Sequence, residues 1–209
     1  EMSASLVGSE MCIRDSGSDN IFNGLSPFRN FQCSSLVYYT RYVKDVLKGP
    51  EGRYNFILVP GTVPQRYIPT PDRGGNFYIE AENVQNSDLE ADYIVAHFAI
   101  LYPEPIPGAE VYIYGKFADW QLLPELKMDY DVKNKAYVGQ AELKQGYYDY
   151  MFAVVPSKEK KPDLVTMQNN FYQTPDEYNI RFYMYDYNVM CFRSVSYTHL
   201  RAHETSAHL

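Results

Sequence analysis

The fold is decided by residues 109–155, which read AEVYIYGKFADWQLLPELKMDYDVKNKAYVGQAELKQGYYDYMFAVV. Val111 and Ile113 alternate with tyrosines until Gly115 ends the first run, and residues 136–143 form a second run. A turn at 144–146 is followed by a third run, whose side chains are expected to lie alternately on two faces. One face has Tyr148, Tyr150, Phe152 and Val154, and the other has Tyr147, Asp149, Met151 and Ala153. A period of two bounded by Gly and Asn is typical of β-strands. The stretch therefore predicts a β-sandwich.

Further strands of the same kind are predicted at 53–59, 76–82, 91–101 and 177–185. Residues 34–46 fit both a helical face and a strand, and their β-branched and aromatic residues favour the strand. Residues 60–75 contain four of the 13 prolines and predict a long irregular connection. Such a loop is either a functional element or a simple crossing over one end of the sandwich. The sequence thus predicts an all-β protein.

Composition and charge exclude several function classes. The chain has 21 Tyr, 11 Phe and one Trp, and tyrosine suits either sheet packing or an aromatic binding face. Its net charge of -7 argues against a nucleic-acid groove, which needs a basic stripe. No apolar run reaches the roughly 18 residues that a membrane-spanning helix needs. Cys12, Cys33 and Cys191 lack the spacing of a metal site.

The two ends of the chain differ from its middle. Residues 1–16 contain no aromatic side chain, and residues 194–209 hold three of the four histidines. Both ends resemble translated sequencing-adaptor read-through on a fragmentary gene, so we predict that they are non-native tails. His199 and His203 with Glu204 have the spacing of a helical metal motif, but the artefact interpretation is preferred.

No residues in the sequence form a recognisable catalytic set. Asp129 and Asp131 are close together, yet a glycosidase needs two carboxylates at a set separation across a cleft, and no partner acid is evident. His97 lies within a predicted strand without metal-binding neighbours in sequence, so we interpret it as a sheet residue. The sequence predicts a protein that is not an enzyme and uses no cofactor or metal.

The decisive stretch resembles a known family in three segments. These are Val111-Tyr-Ile-Tyr-Gly-Lys-Phe-Ala-Asp-Trp120, Met128-Asp-Tyr-Asp131 and Leu143-Lys-Gln-Gly-Tyr-Tyr-Asp-Tyr150. They are similar to early-set immunoglobulin-like domains, including the glycogen-binding modules of starch-branching enzymes and of the energy-sensing kinase. The resemblance implies that Trp120 stacks on a sugar, although the second tryptophan of those modules is missing. The other interpretation is that Trp120 anchors its turn on the sandwich.

A second resemblance covers more of the chain, from Phe28 to Phe192. Its motifs, in order, are Pro27-Phe-Arg-Asn-Phe31, Gly75-Asn-Phe-Tyr-Ile79, Ala91-Asp-Tyr-Ile-Val95, the Gly-x-Phe-x-x-Trp turn, the Leu-Lys-Gln-Gly-Tyr-Tyr run and Asn179-Ile-Arg-Phe-Tyr183. This order resembles the C-terminal part of the type IX secretion system plug protein of Bacteroidetes. The resemblance implies a non-enzymatic, periplasmic protein at the outer membrane that closes a translocon barrel by protein-protein contact.

Together these features predict a specific domain organisation. Two tandem immunoglobulin-like units, the first of which can be incomplete, occupy residues 17–86 and 87–193, with tails at 1–16 and 194–209. The polar stretch 83–90 marks the boundary. Tyrosines of the 60–75 loop, or Tyr183 and Tyr185, are expected to supply the contact area for the partner.

Overall fold

The computed structural model describes residues 4–7, 10–13, 21–38, 40–50, 52–157, 161–175 and 177–201. The chain forms two compact units. Residues 26–169 make up the larger unit, and the smaller one combines the described parts of 1–25 and 170–209. Strands dominate both units and helices are few and short, so the prediction of an all-β protein is confirmed.

The described residues contain fifteen strands and two short α-helices. The strands are β1 (Ala4–Val7), β2 (Glu10–Ile13), β3 (Ile21–Asn23), β4 (Arg29–Gln32), β5 (Val43–Lys48), β6 (Tyr54–Leu58), β7 (Gly61–Thr62), β8 (Phe77–Ile79), β9 (Tyr93–Leu101), β10 (Ala109–Tyr114), β11 (Lys127–Asp131), β12 (Ala136–Lys144), β13 (Gly146–Pro156), β14 (Glu177–Asp186) and β15 (Cys191–Arg201). The helices are α1 (Ser87–Glu90) and α2 (Val165–Gln168). Neither of these helices has the length or apolar character needed to cross a bilayer.

The larger unit is built on one continuous sheet that folds into two layers. Its main order is β4-β13-β10-β11-β12-β9-β6-β5, with β8 paired to β13 and β7 to β9. β11 joins the layers, because Lys127 and Met128 pair with β10 whereas residues 129–131 pair with β12. β6 runs parallel to β9, and the other pairs on the main path are antiparallel. This sheet is a β-sandwich, as predicted.

The core lies between the two layers and is rich in aromatic rings. Phe31 of β4 stacks on Tyr148 of β13 at 5.5 Å and meets Phe98 of β9 edge-on at 5.6 Å. Phe98 also contacts Tyr150 at 5.0 Å. The face of β13 that carries Tyr148, Tyr150, Phe152 and Val154 therefore points into this core. Its other face is buried as well at Asp149, Met151 and Ala153, and α2 packs against this strand.

The predicted boundary between residues 86 and 87 is wrong. Strands from before it pair with strands from after it: β4 and β8 pair with β13, and β6 pairs with β9. The polar stretch contains α1, whose first turn is capped by Asn86 accepting a hydrogen bond from the Asp88 amide at 3.1 Å. Residues 26–169 therefore form one sandwich instead of parts of two tandem units.

One local prediction also needs correction. Within 34–46 only the end is strand, because the Ser35 hydroxyl accepts hydrogen bonds from the amides of Val37 and Tyr38 and bends the chain. The turn at 144–146 connects β12, which pairs with β9 and β11, to β13, which pairs with β10, β4 and β8. This turn therefore carries the chain from one layer to the other.

The smaller unit contains a three-stranded sheet, β1-β2-β3, and the antiparallel pair β14-β15. β14 confirms the strand predicted at 177–185. The described parts of both chain ends also take part in strands, which the sequence did not predict. That the two ends are artefacts stays a prediction. His203 and Glu204 of the metal motif lie outside the described residues.

Cys33 is expected to be unreactive toward thiol reagents in the folded protein. Burial raises the pKa of its thiol to about 12, and the thiolate is the reactive species. In a Cys12→Ser variant, we expect exposed Cys191 to react readily with a thiol reagent at mildly alkaline pH. Cys33 should react only after denaturant is added. Rapid modification of both thiols without denaturant would contradict the buried position of Cys33.

Candidate functional site

The long irregular connection predicted at 60–75 is fixed to the sandwich. Residues 59–75, here called the crossing segment, include only the short strand β7. The Phe28 amide donates to Asp72 Oδ2 at 2.8 Å, and Asn30 Nδ2 donates to the Pro71 carbonyl at 2.9 Å. At the other side, Asn169 Nδ2 donates to the Pro64 carbonyl at 2.9 Å. Long-range hydrogen bonds therefore give this loop a defined shape.

A buried carboxylate holds the end of the crossing segment. Asp149 of β13 is fully buried, and its Oδ2 accepts hydrogen bonds from the amides of Arg73 at 2.7 Å and Gly75 at 3.0 Å. Its Oδ1 accepts from the Tyr147 hydroxyl at 2.7 Å. Burial raises the pKa of the Asp149 carboxyl, and these hydrogen bonds oppose that shift by stabilising the ionised form. Asp149 is thus a structural clamp.

A cavity of about 340 Å³ lies beside the crossing segment and β4. Three arginines line it: Arg29, Arg41 and Arg66. None of its described lining residues is Asp or Glu, and Gln168 from α2 forms part of the wall. The cavity therefore has a positive lining in a chain whose net charge is -7.

Arg29 is the innermost charge of this cavity. Its Nη2 donates to the Thr62 carbonyl at 2.7 Å, and its guanidinium lies 5.4 Å from the centre of the Phe152 ring. Burial lowers the pKa of Arg29, which expresses the cost of removing its charge from water. Gly61 makes room for it, because a Cβ there would lie 2.6 Å from Arg29 Nη1.

Trp120 lies on the turn that the sequence singled out. The turn includes the 3₁₀ segment Lys116–Ala118, and Trp120 itself has a φ of 56°. Its ring contacts Tyr114 at 5.2 Å and Phe28 at 6.0 Å, and 37% of the residue is exposed. These contacts agree with an anchoring role, and the exposed part leaves room for a ligand. Both interpretations of Trp120 stay open.

Gly75 joins the crossing segment to this aromatic cluster, and we expect Gly75→Ala to destabilise the protein by about 2–4 kcal/mol. Gly75 has a φ of 78°, and a Cβ there would lie 2.7 Å from the Phe28 ring and 3.1 Å from Trp120. Gly74→Ala is the matched control, because Gly74 also has a positive φ but open space around it. Urea unfolding of both variants measures the difference. Equal losses would show that ring contact contributes nothing.

Asp129, Asp131 and His97, which the sequence analysis also considered, do not form a common site. Asp129 is exposed, whereas Asp131 accepts hydrogen bonds from Asn134 and Lys133 within its own turn, and these bonds lower its pKa. His97 Nε2 lies 2.9 Å from Asn55 Oδ1 within the sheet. The described residues contain no group of His, Cys, Asp or Glu with the geometry of a metal site.

The predicted tyrosine contacts are only partly available. Tyr67 of the crossing segment and Tyr185 of β14 are half-buried, whereas Tyr183 is exposed. The crossing segment instead exposes the large hydrophobic side chains of Ile68, at 56%, and Val59, at 45%. The sequence reasoning also missed Arg29, Asp149 and Gln168 as site residues. For Asp149 a signal existed, since it is a lone carboxylate within an otherwise apolar and aromatic strand.

The chain was compared with known proteins. No protein family model and no curated protein matches it. A solved structure of a hypothetical protein from Parabacteroides merdae is similar, with a TM-score of 0.79 and 27% sequence identity. The match covers 88% of this chain and 46% of that protein. The chain thus spans less than half the length of this structural neighbour, whose description gives no function.

Proposed function

We propose that this chain is a non-enzymatic plug component of the type IX secretion system. In this role it closes the outer-membrane translocon barrel from the periplasmic side by protein-protein contact. The observation that carries the proposal is the crossing segment, a proline-rich loop that Asp149 and its neighbours hold in one shape while Ile68 stays exposed. A rigid exposed loop loses little conformational entropy on binding. The ordered motifs from Phe28 to Phe192 and the similarity to a Parabacteroides protein add support.

The finer fold assignment belongs to the same proposal. The turn Gly115-Lys-Phe-Ala-Asp-Trp120 follows β10, and the Gly-Tyr-Tyr run opens β13, as in the early-set immunoglobulin-like pattern. We propose that residues 26–169 are one such sandwich. Its physical task in a plug is to fill space rigidly, and a continuous sheet with an aromatic core is suited to that task.

The experiment is a pull-down from Bacteroidetes membranes with the tagged full chain as bait. We expect the translocon barrel to be recovered and identified by mass spectrometry. Ile68→Glu should reduce recovery, because it places a charge in the proposed contact. Val132→Glu is the matched control, since Val132 is 78% exposed and lies on the turn after β11. Failure to recover the barrel with the unmodified chain would refute the plug proposal.

The alternative function is a carbohydrate-binding module, which is favoured by the partial exposure of Trp120 beside Tyr114. Aromatic faces of this kind can stack on sugar rings. Binding to starch or glycogen that is lost in Trp120→Ala, with urea unfolding unchanged, would support it. Absence of binding to any polysaccharide tested would remove it.

A further inference from the structure

The cavity beside the crossing segment has unbalanced charge. Arg29, Arg41 and Arg66 line it without a carboxylate among the described lining residues. None of the three takes part in the salt bridges found between described residues. The guanidinium of Arg41 lies 5.4 Å from the centre of the ring of its neighbour Tyr42. Positive charge gathered in a concave site of an acidic protein attracts anions.

Two buried donors in the cavity wall lack partners. Arg29 Nε and Gln168 Nε2 are shielded from solvent and make no hydrogen bond within the described residues. Gln168 is fully buried, and its Oε1 already accepts from the Ser26 hydroxyl at 3.2 Å. Buried donors are rarely left unpaired, because each one forfeits its hydration without replacement. Both residues line the cavity, so an acceptor bound against them would lie next to these two unpaired donors.

We propose that this cavity binds the carboxylate group of a ligand with an apolar body. The guanidinium of Arg29 and the amide of Gln168 supply donors, and the exposed Arg41 and Arg66 supply further positive charge. A planar guanidinium matches a carboxylate in shape and charge. Phe28, Val59 and Ile68 offer apolar surface for the rest of the ligand.

A carboxylate fits better than a phosphate because the inner part of the cavity contains one positive charge, that of Arg29. Burial lowers the pKa of Arg29, and the side chains of Arg41 and Arg66 are exposed, so the inner part offers a single desolvated positive charge. A monoanion balances that charge, whereas a dianion would bring a second charge whose burial is costly. The cavity volume of about 340 Å³ also suits a small organic molecule or one side chain of a larger ligand.

The test is a nuclear magnetic resonance titration of the full chain with three probes: phenylacetate, its neutral analogue phenylacetamide, and phenyl phosphate. We expect phenylacetate to shift the Arg29 Nε–H resonance in a saturable way and phenylacetamide to leave it unchanged. The double variant Arg41→Gln/Arg66→Gln should bind phenylacetate roughly tenfold or more weakly. These two side chains are exposed, so the fold is expected to survive.

Two further variants test whether the position of Arg29 matters and whether the loss of any exposed arginine has the same effect. Gly61→Ala keeps every charge but moves the guanidinium, because its Cβ would lie 2.6 Å from Arg29 Nη1, and it should abolish the phenylacetate shift. Arg53→Gln removes an exposed arginine that pairs with Glu142 away from the cavity, and it should bind like the unmodified chain. The proposal is overturned if phenylacetate produces no saturable shift. Equal binding of phenylacetamide, preference for phenyl phosphate, or undiminished binding by the double variant would also overturn it.

Discussion

Asp149→Ala is expected to lower the free energy of unfolding by about 3–5 kcal/mol. The substitution leaves the amides of Arg73 and Gly75 and the hydroxyl of Tyr147 without their acceptor. All three donors face a fully buried carboxylate, so water cannot readily replace it. Urea unfolding followed by circular dichroism measures the change. Asp129→Ala is the control, because Asp129 is exposed on β11 and its loss should cost less than about 0.5 kcal/mol.

The same variant should release the crossing segment before the sandwich unfolds. Trypsin can cleave after Arg66 and Arg73 once the loop no longer holds its shape. We therefore expect faster cleavage within 59–75 in Asp149→Ala than in Asp129→Ala at the same protease concentration. Equal stability and equal cleavage in the two variants would contradict the clamp role of Asp149.

Phe31→Ala is expected to destabilise the larger unit by about 3–5 kcal/mol. The ring of Phe31 is buried and contacts Phe98 in one layer and Tyr148 and Tyr150 in the other, so its removal leaves a cavity between the layers. Phe77→Ala is the matched control. Phe77 stacks on Tyr148 but is 36% exposed, and its loss should cost about 1–2 kcal/mol.

Phe31→Ala also tests the single-sandwich architecture. Because β4 pairs with β13 and β6 with β9, residues 26–169 should unfold in one transition that moves as a whole to lower urea. Two separate transitions within this unit, with only one affected by the substitution, would show that the boundary between 86 and 87 exists after all.

The sequence predicted the positions of individual strands better than it predicted which strands pair with each other. Alternation located β6, β9 and β13 to within a few residues, because a period of two directly reflects which side chains face the core. Periodicity carries no information on which strands pair. The parallel contact of β6 with β9 and the pairing of β4 with β13 therefore could not be predicted, and the polar stretch that contains α1 was interpreted as a domain boundary.

The site was less predictable than the fold. Its parts come from distant positions: Arg29 precedes Gln168 by well over half of the chain, and only the folded sandwich brings them to one cavity. Gln168 gave no signal, since an isolated glutamine is ordinarily a surface residue. The Pro-Phe-Arg-Asn-Phe motif did contain Arg29, but its role depends on Gly61 and Thr62, which lie on the other side of the cavity.

The proposed closure of a translocon barrel by this protein is tested most directly by channel conductance. Purified barrels reconstituted in a planar bilayer should conduct ions when open. Adding the full chain to the periplasmic side should lower the conductance in a saturable way, and Ile68→Glu should require a higher concentration than Val132→Glu. An unchanged conductance at saturating concentrations of the unmodified chain would contradict the plug function.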